Sequence, residues 1–422
     1  MNDFEALDFF TDSSFVPDPH PYFDYLREKG PVVREPHHGV VAVTGYEEAM
    51  ALYKDVDSYS SCIAVGGPFP SLPFEPSGDE ISGLIEQHRT RMPLHEHMVT
   101  MDPPDHTRAR SVLSRLLTPA RLKENQDFLW GLADQQLDEF VAHGECEFLE
   151  AYSKPYALLA VANLLGVPEA DHEEFRAVFA KSHTVGNLEH DPAAINPLDF
   201  LDEKFSFYIE DRRREPRGDV LSDLAAAKYP DGSTPEVVDV VRTATFLFGA
   251  GQETTAKLLG AALQILCERP DLQQALRDDR SLIPAFIEET LRMESPVKTT
   301  FRLARRQTCV GGVEIPAGTT VMVSPGAINR DPKRFGDPHE FRLDRNNVRE
   351  HIAFARGVHT CPGAPLARVE GRVSLERILD RMGDIRVNEA KHGPVGERRY
   401  SYAPSYILRG LNELHIQFTP IK

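Results

Sequence analysis

A chain of 422 residues carrying a net charge of −18 repels nucleic acid and anionic membrane as a whole, so neither is expected as a partner. With 41% hydrophobic and 27% charged residues it has an ordinary globular composition, long enough to bury a large core and a sizeable cofactor. The five scattered cysteines, Cys62, Cys146, Cys267, Cys309 and Cys361, form no C-x-x-C or C-x-x-C-H pattern, which argues against structural zinc and covalently attached c-type haem and fits a reducing cytoplasm.

The start, MNDFEALDFFTDSS, is acidic and polar, without a basic leader. No run reaches ~18 apolar residues, so no membrane span is expected. Residues 31–62 alternate as a small hairpin flanked by helices. Residues 63–100 read as the longest loop-like segment, and loops of that length are commonly functional lids. From 107 to 290 the patterns are mainly helical.

The central helix is predicted to start at Thr234-Pro235-Glu236, to run to Cys267 and to stop at Arg269-Pro270. Its middle, FGAGQETTA, holds two glycines and two threonines, at a cost of ~1 kcal/mol per glycine against alanine. A long buried helix with a weak middle predicts close backbone approach there. Short strands follow over 300–325, helix resumes near 363–382, and the tail YSYAPSYILRGLNELHIQF reads as a strand pair. The composition never shifts sharply, so one domain covering 1–422 is expected, mainly α with a small β region.

Three motifs carry chemistry. In FARGVHTCPGAP, Cys361 precedes a helix opened by Gly363. Most free cysteines are small buried hydrophobes, but a helix N-terminus favours thiolate. A thiolate without a second cysteine suits an axial haem ligand. In AGQETT, Thr254 either bonds back to a carbonyl one turn earlier or joins Glu253 as a proton relay, with Ala250 and Gly251 leaving room for dioxygen. Glu289 and Arg292, at i,i+3, share a helix face, where an isolated surface pair is common and weak.

In this order the three motifs resemble those of the cytochrome P450 family of haem-thiolate monooxygenases. F-x-x-G-x-x-x-C-x-G is met by Phe354, Gly357, Cys361 and Gly363, and the oxygen-activation motif by Ala250, Gly251, Glu253, Thr254 and Thr255. Glu289 and Arg292 meet E-x-x-R, and Arg345 matches the third member of that ion network. DPPDHTRAR resembles the haem-propionate helix, with His106 and Arg110, and Arg302 and His359 match the other propionate contacts.

The resemblance implies a triangular helical prism with a small β region, holding haem b (iron protoporphyrin IX) through Cys361 as iron ligand. It implies that Glu253 and Thr254 are catalytic, and that a cytoplasmic monomer takes electrons from a ferredoxin and ferredoxin reductase. One oxygen atom would enter a C–H bond of a small hydrophobic substrate: a terpenoid, a steroid-like molecule, or a fatty or aromatic acid. The implied pocket draws on the 63–100 loop, Phe246, Gly249, Ala250, Val297, Lys298, Thr300, Tyr406 and Ile407, with hydroxyls from Tyr402 and Tyr406. Lys298 either holds a substrate carboxylate or snorkels to solvent. The ferredoxin surface would use Arg108, Arg115, Arg121, Arg356, Arg368 and Arg372. Intact Glu253-Thr254 argues against a peroxide-driven enzyme and against a haem-based gas sensor.

Two positions depart from the family pattern. Ala355 stands where glycine is usual, and Pro362 stands where the family usually has a residue bearing an N–H. Proline cannot donate to the sulfur. Cys361 would then keep a more electron-rich sulfur and a lower haem potential.

Overall fold

The computed structural model describes residues 4–113, 116–182, 185–188 and 196–421. Its spine is the helix Val237–Glu268, which packs against Lys154–Leu165, Pro197–Arg214 and Ala364–Arg381. These helices share an apolar cluster that draws on residues from Met98 to Phe418.

The central helix begins at Val237, later than the predicted cap at Thr234. The Thr234 hydroxyl instead receives the Lys228 ammonium, and the Pro235 carbonyl accepts from Arg213 at 2.7 Å. Glu236, in extended backbone, is the residue that turns into the helix. The predicted stop holds: Arg269 leaves the helix, and Pro270, which has no N–H to give, opens the next one at Pro270–Asp278.

The weak middle is not the point of closest packing. A Cβ at Gly249 or Gly251 would meet Leu198 or Val161 at 3.5 Å, an ordinary contact. At Gly260, nine residues past Gly251, it would lie 2.8 Å from Leu149 Cδ2, so the tightest protein packing against these glycines is there, and the middle is left open on the protein side.

The predicted hairpin forms from Val32–Arg34 and Val41–Val43. It belongs to a five-stranded sheet ordered Val32–Arg34, Val41–Val43, Thr320–Val323, Thr300–Ala304, Tyr59–Ser60, with one parallel pairing, Val41–Val43 on Thr320–Val323. In Thr300–Ala304 successive side chains alternate between faces. Phe301 and Leu303 enter the apolar cluster of Phe9, Phe10 and Phe23, while the Arg302 guanidinium lies 5.7 Å from the Tyr53 ring.

Two expectations are corrected. The 63–100 stretch contains a short helix, Ser82–His88, built around the buried Ile85. The tail is not a strand pair. His415–Pro420 is its one strand and pairs with Met382–Val387 and Glu145–Glu147, while residues 402–411 make only isolated bridges. Pro404 and Gly410 interrupt regular pairing there.

Candidate active site

Cys361 lies in the loop before the helix Ala364–Arg381, and its own N–H donates to the Phe354 carbonyl at 2.9 Å. Burial pushes its thiol up, opposed by the Gly363 N–H, by Arg110 and by the Ala364 N–H. The sulfur therefore sits at a helix N-terminus with two backbone donors beyond Pro362. Gly357, at φ 72°, allows the loop to lie against Tyr53: a Cβ there would meet the Tyr53 carbonyl oxygen at 2.4 Å. Ala355 takes the same left-handed backbone at φ 55°, where glycine is easier.

On the central helix Phe246, Gly249, Ala250, Glu253, Thr254 and Lys257 keep accessible surface at helical spacing, while Leu247, Phe248, Thr255, Ala256 and Leu258 are covered or nearly so. Thr254 bonds back to the Ala250 carbonyl at 2.8 Å, and Glu253 pairs with Lys257 at 3.3 Å. The two helices meet at a side chain that the motifs did not single out. Glu370, 2% exposed, accepts from Thr255 Oγ1 at 3.1 Å. Burial pushes its carboxyl up to about 8, with Thr255 opposing. The only sequence signal is an acid within an otherwise amphipathic helix, which reads equally well as a solvated residue.

Four basic side chains gather, and the buried carboxylate beside them, Asp102, is already paired with Arg89 and Arg305. The rings of His106 and His359 lie 4.0 Å apart, and His359 Nε2 meets Ser61 Oγ at 2.9 Å. Both nitrogens of buried His106 lack a partner. Buried Arg302 gives one hydrogen bond, to the Phe301 carbonyl at 2.7 Å, and neither it nor Arg110 has an ion pair among the described residues. Burial pulls His106 down to about 4, with Arg110 adding to it, and His359 down to about 2, with Arg302 adding to it. Such a cluster is short of negative charge.

By contrast, Glu289, Arg292 and Arg345 close completely. Glu289 holds Arg292 through two bonds of 2.8 Å and Arg345 at 3.1 Å. The arginines' remaining N–H groups go to the carbonyls of Asn329, Gly336, Asp337, Pro338 and Glu340. Glu289 and Arg292 have no exposed surface at all, so this is not the weak surface pair their spacing alone describes.

The comparisons with known proteins decide the family. A family model described as Cytochrome P450 matches residues 187–382. The cytochrome P450 monooxygenase PikC of Streptomyces venezuelae is 31% identical over 96% of this chain and 92% of its own. The 6-deoxyerythronolide B hydroxylase of Saccharopolyspora erythraea is 31% identical over 96% of this chain and 97% of its own. The substrate-free structure of Mycobacterium marinum cytochrome P450 CYP150A6 is 67% identical, covers all of both chains and superposes with a TM-score of 0.95. This chain belongs to the cytochrome P450 family. It is a monooxygenase, and its cofactor is haem b.

The residues present fit that cofactor. The unpartnered His106 nitrogens and the unpaired Arg110 and Arg302 match the two carboxylates of a porphyrin, and the accessible stripe at Ala250 matches a face left open for a ligand. Among the described residues no helix of this cytochrome P450 is long and apolar enough to cross a membrane.

The pocket residues divide. Thr300 Oγ1 is tied to the Ala64 carbonyl at 3.2 Å, and Val297 bridges Leu408. Phe246 stacks 5.7 Å from His97, and Ile407 packs on Gly186. The tyrosine hydroxyls differ: Tyr406 donates to the Gly66 carbonyl at 2.6 Å, whereas Tyr402 accepts from the Gln264 amide at 3.3 Å. Lys298 does not snorkel. It is 3% exposed, with its ammonium 5.9 Å from the Phe9 ring. Burial, then Arg409 and Lys257, pull it down to about 7. The alternation that would aim it elsewhere is broken, because Lys298 and Thr299 both donate to the Ile407 carbonyl.

The arginine surface is thinner than the sequence implies. Arg121 pairs with Asp223, Arg368 with Glu288 and Arg372 with Glu376. Arg115 lies outside the described residues. Arg108 stacks 4.0 Å over Tyr229 and Arg356 reaches backbone carbonyls, and these two keep an unpaired charge among the described residues.

Proposed function

We propose that the Cys361 thiolate binds the haem iron, and that the single domain 1–422 hydroxylates an uncharged hydrophobic molecule of terpenoid or steroid size in the cytoplasm. The observation that carries the ligand assignment is the placement of Cys361 Sγ at a helix N-terminus, with N–H groups of Gly363 and Ala364 directed at it. His106, Arg110, Arg302 and His359 hold the propionates. When bound, haem supplies the oxygen-activating chemistry.

The chain's own part is positioning and proton handling. Ala250 and Gly251 leave space on the oxygen side. The Thr254 hydroxyl gives its proton to the Ala250 carbonyl and so presents acceptor lone pairs on that side, where a water can be held, and Glu253, paired with Lys257 at the partly exposed edge, exchanges protons with solvent. Phe246, Gly249, Val297 and Ile407 supply apolar lining. With Lys298 packed by Phe9 and the Tyr406 hydroxyl given to the Gly66 carbonyl, nothing charged in this set favours a carboxylate substrate. Electrons come from a ferredoxin and its reductase, steered by Arg108 and Arg356.

The test is the carbon monoxide difference spectrum of the reduced protein beside Cys361→His. A far-red Soret band lost in the variant supports the ligand, and a histidine-type band in the wild type overturns it. A spin-shift panel of neutral terpenoids and steroids against fatty and aromatic acids tests the substrate class, and a response to the acids alone overturns it.

A further inference from the structure

Beside the closed network of Glu289 runs a second buried carboxylate that the cysteine motif does not include. Glu288 is 2% exposed and spans three segments. It meets His351 Nε2 at 2.9 Å and takes the Arg368 fork on both oxygens, Nε at 2.5 Å and Nη2 at 3.0 Å. Against the upward push of burial, these two partners bring Glu288 down to about 2, so it is ionised at neutral pH.

Each arm of this clamp leads to the cysteine loop. The Arg368 guanidinium lies 4.7 Å from the Phe354 ring, and the His351 ring lies 6.1 Å from it. Phe354 is the residue whose carbonyl receives the Cys361 N–H. On its other side Arg368 Nη1 touches the Ala364 carbonyl at 3.5 Å, in the turn whose N–H groups point at the sulfur. His351 Nδ1 accepts the Ala353 N–H at 3.2 Å and so fixes the start of the loop. The three members differ in one respect. The side chains of Glu288 and His351 are 3% and 1% exposed, whereas that of Arg368 is 35% exposed.

We propose that Arg368 is a positioning residue for the iron-binding cysteine, and that acidic groups docking on this face reach the sulfur through it. The inference rests on Cys361 as the ligand. The buried carboxylate needs its cation, because removing one partner of a buried ion pair leaves an uncompensated charge. A partner carboxylate that competes for the exposed fork loosens Glu288, and with it the seating of Phe354 and of the first helical turn. Phe354 fixes the Cys361 backbone through its carbonyl, and the first helical turn holds the sulfur's donors in place.

The experiment uses the haem-loaded protein and compares Arg368→Gln, Arg368→Lys and Arg377→Gln. Arg377 loses a comparable ion pair, to Asp134, on the same helix without touching Glu288 or Phe354. The readouts are the haem midpoint potential and the rate at which the reduced carbon monoxide complex loses its thiolate band. Arg368→Gln is expected to shift the potential and to lose the band about tenfold faster, with Arg368→Lys intermediate and Arg377→Gln like the wild type. Glu288→Gln, which keeps the Arg368 charge, is expected to shift the potential in the same direction. Poly-L-glutamate is expected to move the wild-type potential and to leave that of Arg368→Gln in place. Arg368→Gln behaving like Arg377→Gln overturns the positioning role, and an equal response of wild type and Arg368→Gln to polyglutamate overturns the coupling. A wild type without a thiolate band overturns the ligand assignment instead.

Discussion

Two buried charge clusters stand in the same molecule and are built oppositely. Around Glu289 every cation has its acid, and the spare N–H groups all find carbonyls. Around His106 and Arg302 four basic groups lack an acid of their own, since nearby Asp102 is held by Arg89 and Arg305, and two ring nitrogens have no partner among the described residues. A buried cluster that closes on itself holds a fold together. One that closes only with an added anion is a binding site.

The largest expected effect comes from opening the closed cluster. Arg292→Met leaves the buried Glu289 carboxylate to Arg345 and the Arg342 N–H and orphans the carbonyls that Arg292 served, and it is expected to cost ~3–5 kcal/mol of folding free energy, read by denaturant unfolding. A loss below ~1 kcal/mol would show that Arg345 alone keeps the Glu289 carboxylate satisfied. The matching change in the open cluster should behave differently. Arg302→Met removes a charge that has no ion-pair partner among the described residues, so unfolding should respond far less. Haem retention should fall ~10–100-fold, the equivalent of one charge-assisted bond. Transfer of haem to an apo-globin acceptor measures it, and unchanged retention would remove Arg302 from the propionate set.

Glu370 sharpens the comparison from the acidic side, because it is a buried carboxyl without a cation. Folded, it holds its proton to about pH 8; unfolded, it releases it near the ordinary carboxylate value of 4.5. Between those limits the unfolded state binds fewer protons, so stability falls as pH rises, with a slope of up to ~1.4 kcal/mol per pH unit. Glu370→Gln should flatten that part of the stability profile from pH 5 to 8; an unaltered slope would mean that Glu370 is ionised in the fold. The smallest effect is at the sulfur. Pro362→Leu adds an N–H donor and is expected to raise the haem potential, and a redox titration showing no rise would leave proline as a shaper of the helix entry only.

Much of this was legible beforehand, and the exceptions share a cause. The stop at Pro270 and the helix after Gly363 follow from local backbone chemistry, and both stand as read. The cap at Thr234 failed because Lys228 and Arg213 claimed the polar groups around it. Lys298 was read either as a pocket cation or as a solvent one, and burial removes the second reading, because its ammonium packs 5.9 Å from the Phe9 ring. The hydroxyls of Tyr402 and Tyr406 were legible as hydroxyls but not as already engaged.

The residue types and spacings by themselves determined which chemistry this chain carries: one cysteine before a helix, an acid and a threonine in a weakened helix, and a basic pair one helical turn apart. Those signals are short-range, set by missing N–H groups, caps and side-chain periodicity within a few residues. Only the tertiary structure decided which charges are paired. Glu289 meets Arg345 from 56 positions away and Glu288 meets Arg368 from 80. Whether a buried charge is closed or open depends on which distant segments are brought beside it, and local periodicity carries no information about that.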